Sequence, residues 1–182
     1  MLVRTKYAQR LILLFGLLAV FGLSQLRAQD EESPEAKQYR EDYDRYQKAI
    51  GTQDSMKRAD ALFIFMKDRP DSKVIEHAQM GYLLVVESLA KAEKYPVVIT
   101  QCERLIKLRP RAGEAYYFYG AALKNVGRVP EAINALAKCT LIKNNASRKA
   151  NEFLEFVYKS QNQGSLLGLE KIKRVAQDEL NK

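Results

Sequence analysis

Residues Tyr116 to Leu136 read YYFYGAALKNVGRVPEAINAL, and this stretch decides the fold. Tyr116, Tyr119 and Leu123 recur at spacings of three and four, which puts them on one face of a helix. Gly127 breaks the run. Pro130 suits the first turn of a second helix, where a missing N–H costs no hydrogen bond, and Ala132 and Leu136 share a face of that helix. Gly120 and Ala132 are small enough to let the two helices approach closely, while Tyr116, Tyr119 and Leu136 fill the space between them.

The same pattern recurs upstream at a shift of 34 residues without a gap: Tyr82 falls on Tyr116, Leu89 on Leu123, Pro96 on Pro130 and Ile99 on Ile133, although Lys107 meets Leu141. The spacing Tyr116-x₂-Tyr119-Gly120-x₂-Leu123, then Gly127, then Ala132-x₃-Leu136, resembles that of the tetratricopeptide (TPR) family. In the preceding copy Val86 and Val98 occupy both small slots, so its helices are expected to pack a little farther apart. A third copy over Ser33 to Pro70 keeps the two-helix form and the closing proline but not the core slots. The resemblance implies an all-α fold, a right-handed α-solenoid of antiparallel helix pairs with a C-terminal capping helix. Its units are expected at about 34–70, 71–110 and 111–144, followed by terminal helices over 147–182.

Composition agrees with helices. Among 182 residues there are only nine Gly and five Pro, and no strand pattern survives between Ser33 and Leu180. One His and two Cys leave almost no ligands for zinc sites, His-based triads or thiolate clusters. His77 has no second His, and Glu76 beside it points elsewhere on a helix, so it reads as a bystander. The acidic residues Glu31, Glu32, Glu35, Glu41, Asp42 and Asp44 read as a solvated N-terminal tail rather than a catalytic pair, which needs a shielded cleft. No phosphate loop, nucleophile elbow or paired metal motif is found, so the chain reads as non-enzymatic, with no cofactor and no metal. Cys102 and Cys139 fall on inward slots of different repeats and read as buried free thiols. Asn145-Ala146-Ser147 reads either as an N-glycosylation acceptor or as an inter-helix turn with Ser147 as helix cap.

The N-terminal segment sets the expected compartment. Arg4, Lys6 and Arg10 precede an uncharged apolar run of 13 residues, Leu11 to Leu23, which Ser24, Gln25 and the small Ala28 follow. A spanning helix needs roughly 20 apolar residues, so residues 1–28 read as a cleaved signal peptide and 29–33 as an acidic linker. The expected location is periplasmic or secreted, the alternative being a membrane anchor over residues 11–26. The net charge of +8 includes four cations in that segment, which leaves +4 on the remainder. Gln29 to Asp60 is net −3 and Ala61 to Lys182 net +7. Arg104, Lys107, Arg109 and Arg111 cluster where cations oppose the negative pole of a helix, a stabilising arrangement. A nucleic-acid interface would need base-stacking aromatics on a basic face and an intracellular address, so no nucleic-acid partner is expected.

Four successive aromatics, Tyr116-Tyr117-Phe118-Tyr119, fan out over about 300° of a helix and cannot all enter one core. With Tyr116 and Tyr119 as the packing pair, Tyr117 turns away and joins Glu114, Ala121 and Lys124 at helical spacings. That stripe resembles the ligand-facing surface of first helices in TPR arrays. Its counterparts are Met80, Leu83, Glu87 and Lys91 in the preceding unit and Asn151, Glu155 and Tyr158 in the next. The resemblance implies a non-catalytic scaffold that holds a protein or peptide segment in a concave groove. Its partner-binding residues would be Tyr117, Lys124, Glu114, Ala121, Leu83, Glu87 and Lys91. The alternative is a membrane-anchored structural subunit of an envelope assembly.

Overall fold

The structure, a computed structural model, describes residues 32–182; the expected signal peptide over 1–28 lies outside the described residues. Among the described residues there are eight helices and no strand. They are α1 (Pro34–Ile50), α2 (Ser55–Asp68), α3 (Ile75–Lys91), α4 (Tyr95–Leu108), α5 (Gly113–Asn125), α6 (Val129–Leu141), α7 (Ser147–Gln161) and α8 (Leu169–Leu180). The chain divides into two compact units at Tyr43 and Asp44, so α1 runs across the boundary. Within residues 32–43, Arg40 pairs with Glu32 at 2.7 Å and Tyr39 stacks on Tyr43 at 6.1 Å. Asp42 is 2% exposed, so the acidic run is not a uniformly solvated tail: Glu35, Glu41 and Asp44 are exposed positions of a helix and Asp42 a buried one.

The unit Asp44–Lys182 is built by local stop signals that recur along the chain. α4 and α6 each carry a proline at the start, where φ near −65° is already helical. α3 and α5 end in the same left-handed turn. Arg128 donates to the Leu123 carbonyl at 2.9 Å across Gly127, whose φ is 82°, and Lys94 donates to the Leu89 carbonyl at 3.0 Å across Glu93, whose φ is 56°. α2 and α4 both close on Arg-Pro. The Arg69 N–H donates to Phe65 and the Arg109 N–H to Leu105, and each arginine carbonyl then accepts from the third residue on, Ser72 or Ala112.

Neighbouring helices pack in sequence order from α2 to α7, and α3, α5 and α7 also touch as a row. α5 and α6 come together over the longest stretch. The reason is visible at Gly120, where an added Cβ would stand 2.7 Å from Leu136 Cγ and 3.1 Å from the Ala132 carbonyl oxygen. α3 and α4 meet over a shorter stretch, and Val86 on α3 and Val98 on α4 are both fully buried. There Tyr82 is fully buried, and its hydroxyl donates to Gln101 Oε1 at 2.6 Å. Both cysteines are free and fully buried.

α8 starts at Leu169, directly after Gly168 at φ 93°, and lies along α6, tied there by Lys138–Glu179 at 2.7 Å. Two expectations need correction. Arg104 and Arg109 are not simply dipole partners of α4. Arg104 pairs with Asp60 of α2 and sits 3.8 Å over the Phe63 ring, and Arg109 pairs with Glu76 of α3. Ser147 does not cap α7, since its hydroxyl lies 2.9 Å from the Ile142 carbonyl and so fastens the preceding turn.

Candidate functional site

The row formed by α3 and α5 leaves one side open, and there two adjoining cavities of about 700 and 510 Å³ form a continuous groove. They share Glu87, Glu114, Phe118 and Asn145. Helical spacing explains the α5 wall. Glu114, Phe118, Ala121 and Asn125 follow each other at steps of three and four, so at about 100° per residue they point in one direction. On α3 the same step collects Met80, Leu83, Leu84 and Glu87. Met80 and Leu84 are 61% and 60% exposed, unusually open for large apolar side chains in an ordered helix.

The far lip is the α6–α7 turn, held by Asn144. Its amide donates to the carbonyls of Cys139 at 2.9 Å and Ile142 at 2.6 Å, and its oxygen accepts from the Ala146 N–H at 2.7 Å. The first residue of α5 sits directly on this knot. A Cβ on Gly113 would lie 2.3 Å from Asn144 Nδ2, so only glycine lets α5 begin there. The turn thereby presents Lys143 and Asn145 to the groove beside Lys149 of α7, and the Asn145 N–H donates to Glu114 Oε1 at 3.2 Å.

Six of the seven residues expected from the sequence line this groove: Leu83, Glu87, Lys91, Glu114, Tyr117 and Ala121. Lys124 does not; it lies about 90° around α5 from the mean direction of Glu114, Phe118, Ala121 and Asn125. The expected stripe was centred on Tyr117, whereas the actual one is centred on Phe118. Tyr119 is half-buried and faces α4, where its hydroxyl donates to Glu103 at 2.9 Å; burial, with this bond, pushes the phenol up to about 12. Tyr158 is also no groove residue. It is 7% exposed and its hydroxyl donates to the Leu167 carbonyl at 2.7 Å, locking the entry to α8. Asn151 and Glu155 bond each other at 2.8 Å and do not line the groove.

Several groove residues escaped sequence reading: Phe118, Leu84, Arg111, Lys143, Asn145 and Lys149. Phe118 had a signal, being four residues after Glu114. The basic residues had none, because they sit in or beside turns, where periodicity says nothing about direction.

Charge in the groove is partly neutralised internally. Glu87 pairs with Lys91 at 2.8 Å, and Glu76 with Arg109. His77 is exposed outside this groove, with its ring 6.3 Å from that of Tyr46. Among the described residues no group of three His, Cys, Asp or Glu side chains is placed to hold a metal ion, and no helix is long and apolar enough to cross a membrane. The thiols are shielded: burial raises Cys102 well above the usual thiol range and pushes Cys139 up to about 12. Fold and groove together define the class as an all-helical protein with a repeat-like succession of packed helices and an open, mixed apolar and charged cleft. No family model matches the chain, and neither a curated protein nor a solved structure matches it.

Proposed function

We propose that this chain is a non-catalytic scaffold, a right-handed TPR-like α-solenoid that holds a protein or peptide segment of a partner in the groove between α3, α5 and the α6–α7 turn. The observation that carries this reading is the exposure of Met80 and Leu84 on the wall of an open groove whose other wall bears Tyr117 and Phe118. Large apolar side chains left in water beside aromatic ones suit a partner that buries them. The 34-residue recurrence supports the TPR-like part of the reading, since Glu93 and Gly127 take equivalent left-handed turns at that spacing.

The working place of the scaffold is the cell envelope or the extracellular space, on the strength of the segment Leu11 to Leu23. Two measurements test the proposal. N-terminal sequencing of protein from its native host should start at Gln29; a start at Met1, with the protein in the membrane fraction, would favour the anchored alternative. Capture of partners by the mature chain should fall about thirtyfold in affinity for Leu84→Asp and Phe118→Ala, with the melting curve little changed for the exposed Leu84. Unaltered capture by both variants would remove the groove from the proposal.

A further inference from the structure

The charges of the groove are unequal in one respect. Its carboxylates are engaged, Glu87 with Lys91, Glu76 with Arg109, and Glu114 with the Asn145 N–H. Arg111, Lys143 and Lys149 line the same groove and make no ion pair among the described residues. All three are exposed, and all gather at the end where α5 and α7 begin. Lys149 stands in the first turn of α7, where the exposed N–H groups already carry partial positive charge, whereas Arg111 and Lys143 follow the ends of α4 and α6. α7 has no acidic residue in its first turn and no side-chain cap to offset Lys149. Three like charges gathered at one lip repel one another, and sequences break such local rules chiefly where function demands it.

Beside the cations the groove is apolar: Met80, Leu83, Leu84, Tyr117 and Phe118. From this juxtaposition we infer that the occupant of the groove is an acidic peptide segment carrying apolar side chains. Its carboxylates lie against Arg111, Lys143 and Lys149, and its apolar residues lie on the α3 and α5 walls. The inference rests on the groove being the partner site and adds the partner's chemistry. An acidic segment is drawn in by long-range attraction and replaces the missing anions, and the apolar walls distinguish it from a bare polyanion.

The test pans a random dodecapeptide library, displayed through its C-termini so that no free carboxylate is offered, against the full mature chain. The expected pool is enriched in Asp and Glu together with Leu, Phe or Met, and its members bind several-fold more weakly as salt rises to physiological strength. Against the triple variant R111E/K143E/K149E, acidic members should lose about tenfold or more in affinity and the enriched pool should turn basic. The variant should fold, since the three positions are exposed and the new charge at 149 suits the start of α7. A neutral or basic pool on the unaltered chain overturns the inference and leaves the groove as a partner site. Enrichment that survives Leu84→Asp and Phe118→Ala together overturns the groove reading itself. An oligodeoxythymidylate that binds as tightly as the selected peptides shows a polyanion surface and also overturns the inference.

Discussion

At the scale of single residues, the close approach of α5 and α6 depends on one missing methyl group. Gly120→Ala gains about 1 kcal/mol of helix propensity, but its Cβ meets Leu136 and the Ala132 carbonyl, and overpacking of this kind costs about 1–3 kcal/mol. A net loss of up to about 2 kcal/mol is expected, lowering the melting temperature by a few degrees. Gly81→Ala is the comparison: its Cβ lies 3.2 Å from the end of the Leu62 side chain, which can yield, so the two effects roughly cancel. Glu93 points the other way. A side chain in a left-handed turn costs about 1–2 kcal/mol, part of which Glu93→Gly recovers, for a gain of about 0.5 kcal/mol in a denaturant titration. The cysteines give a third check. Because burial raises both thiols, almost no thiolate forms at pH 8; DTNB should leave the folded chain unmodified and titrate two thiols after denaturation. These positions were legible in the sequence to different degrees. Gly120 and the two cysteines are small or apolar residues at periodic slots, and their burial follows from spacing. Glu93 carries no such signal, since its conformation is imposed by the turn it closes.

At the scale of elements, α8 is held to α6 by a small polar cluster. The Asn134 amide donates to Glu179 at 3.0 Å and Lys138 pairs with the same carboxylate at 2.7 Å, which holds its pKa below the ordinary 4.5. A carboxyl lowered on folding adds stability above its unfolded pKa and loses it as pH falls through the folded value. α8 should therefore be docked at neutral pH and loosen in acid, where its amides exchange faster while those of α5 and α6 stay protected. Glu179→Gln should produce the loosening already at pH 7, by no more than about 1 kcal/mol, because the pair is partly exposed. Equal protection of α8 at pH 7 and in acid would contradict this. Sequence reading anticipated a last helix but not its seat on α6, because Asn134 and Glu179 lie far apart in the chain and neither belongs to an apolar pattern.

At the scale of the whole unit Asp44–Lys182, stability should be uneven. The α5–α6 pair has the tightest contact and the smallest residues at it, so its amides should exchange last under native conditions. Those of α3 and α4 should follow, since these helices meet over a shorter stretch. A single uniform exchange rate through all helices would show that the helices open only together and would count against a repeat-like division of the stability.

Sequence alone determined the elements of this protein: helices between Gly and Pro stops, a 34-residue recurrence, the close contact at Gly120 and the inward Cys102 and Cys139. Each is a matter of steric fit or of the 3.6-residue period, which act within one helix or between two joined by a short turn. The tertiary structure decided which stripe of α5 becomes a wall. A shift of the stripe's centre from Tyr117 to Phe118 admits Asn125 and excludes Lys124, a difference of rotation that apolar spacing along one helix does not specify. It also brought Arg111, Lys143 and Lys149 to one lip, because the Asn144 knot and Gly113 set the α6–α7 turn against the start of α5. Direction in a turn comes from hydrogen bonds that close only when distant segments meet, so it is written in no local pattern.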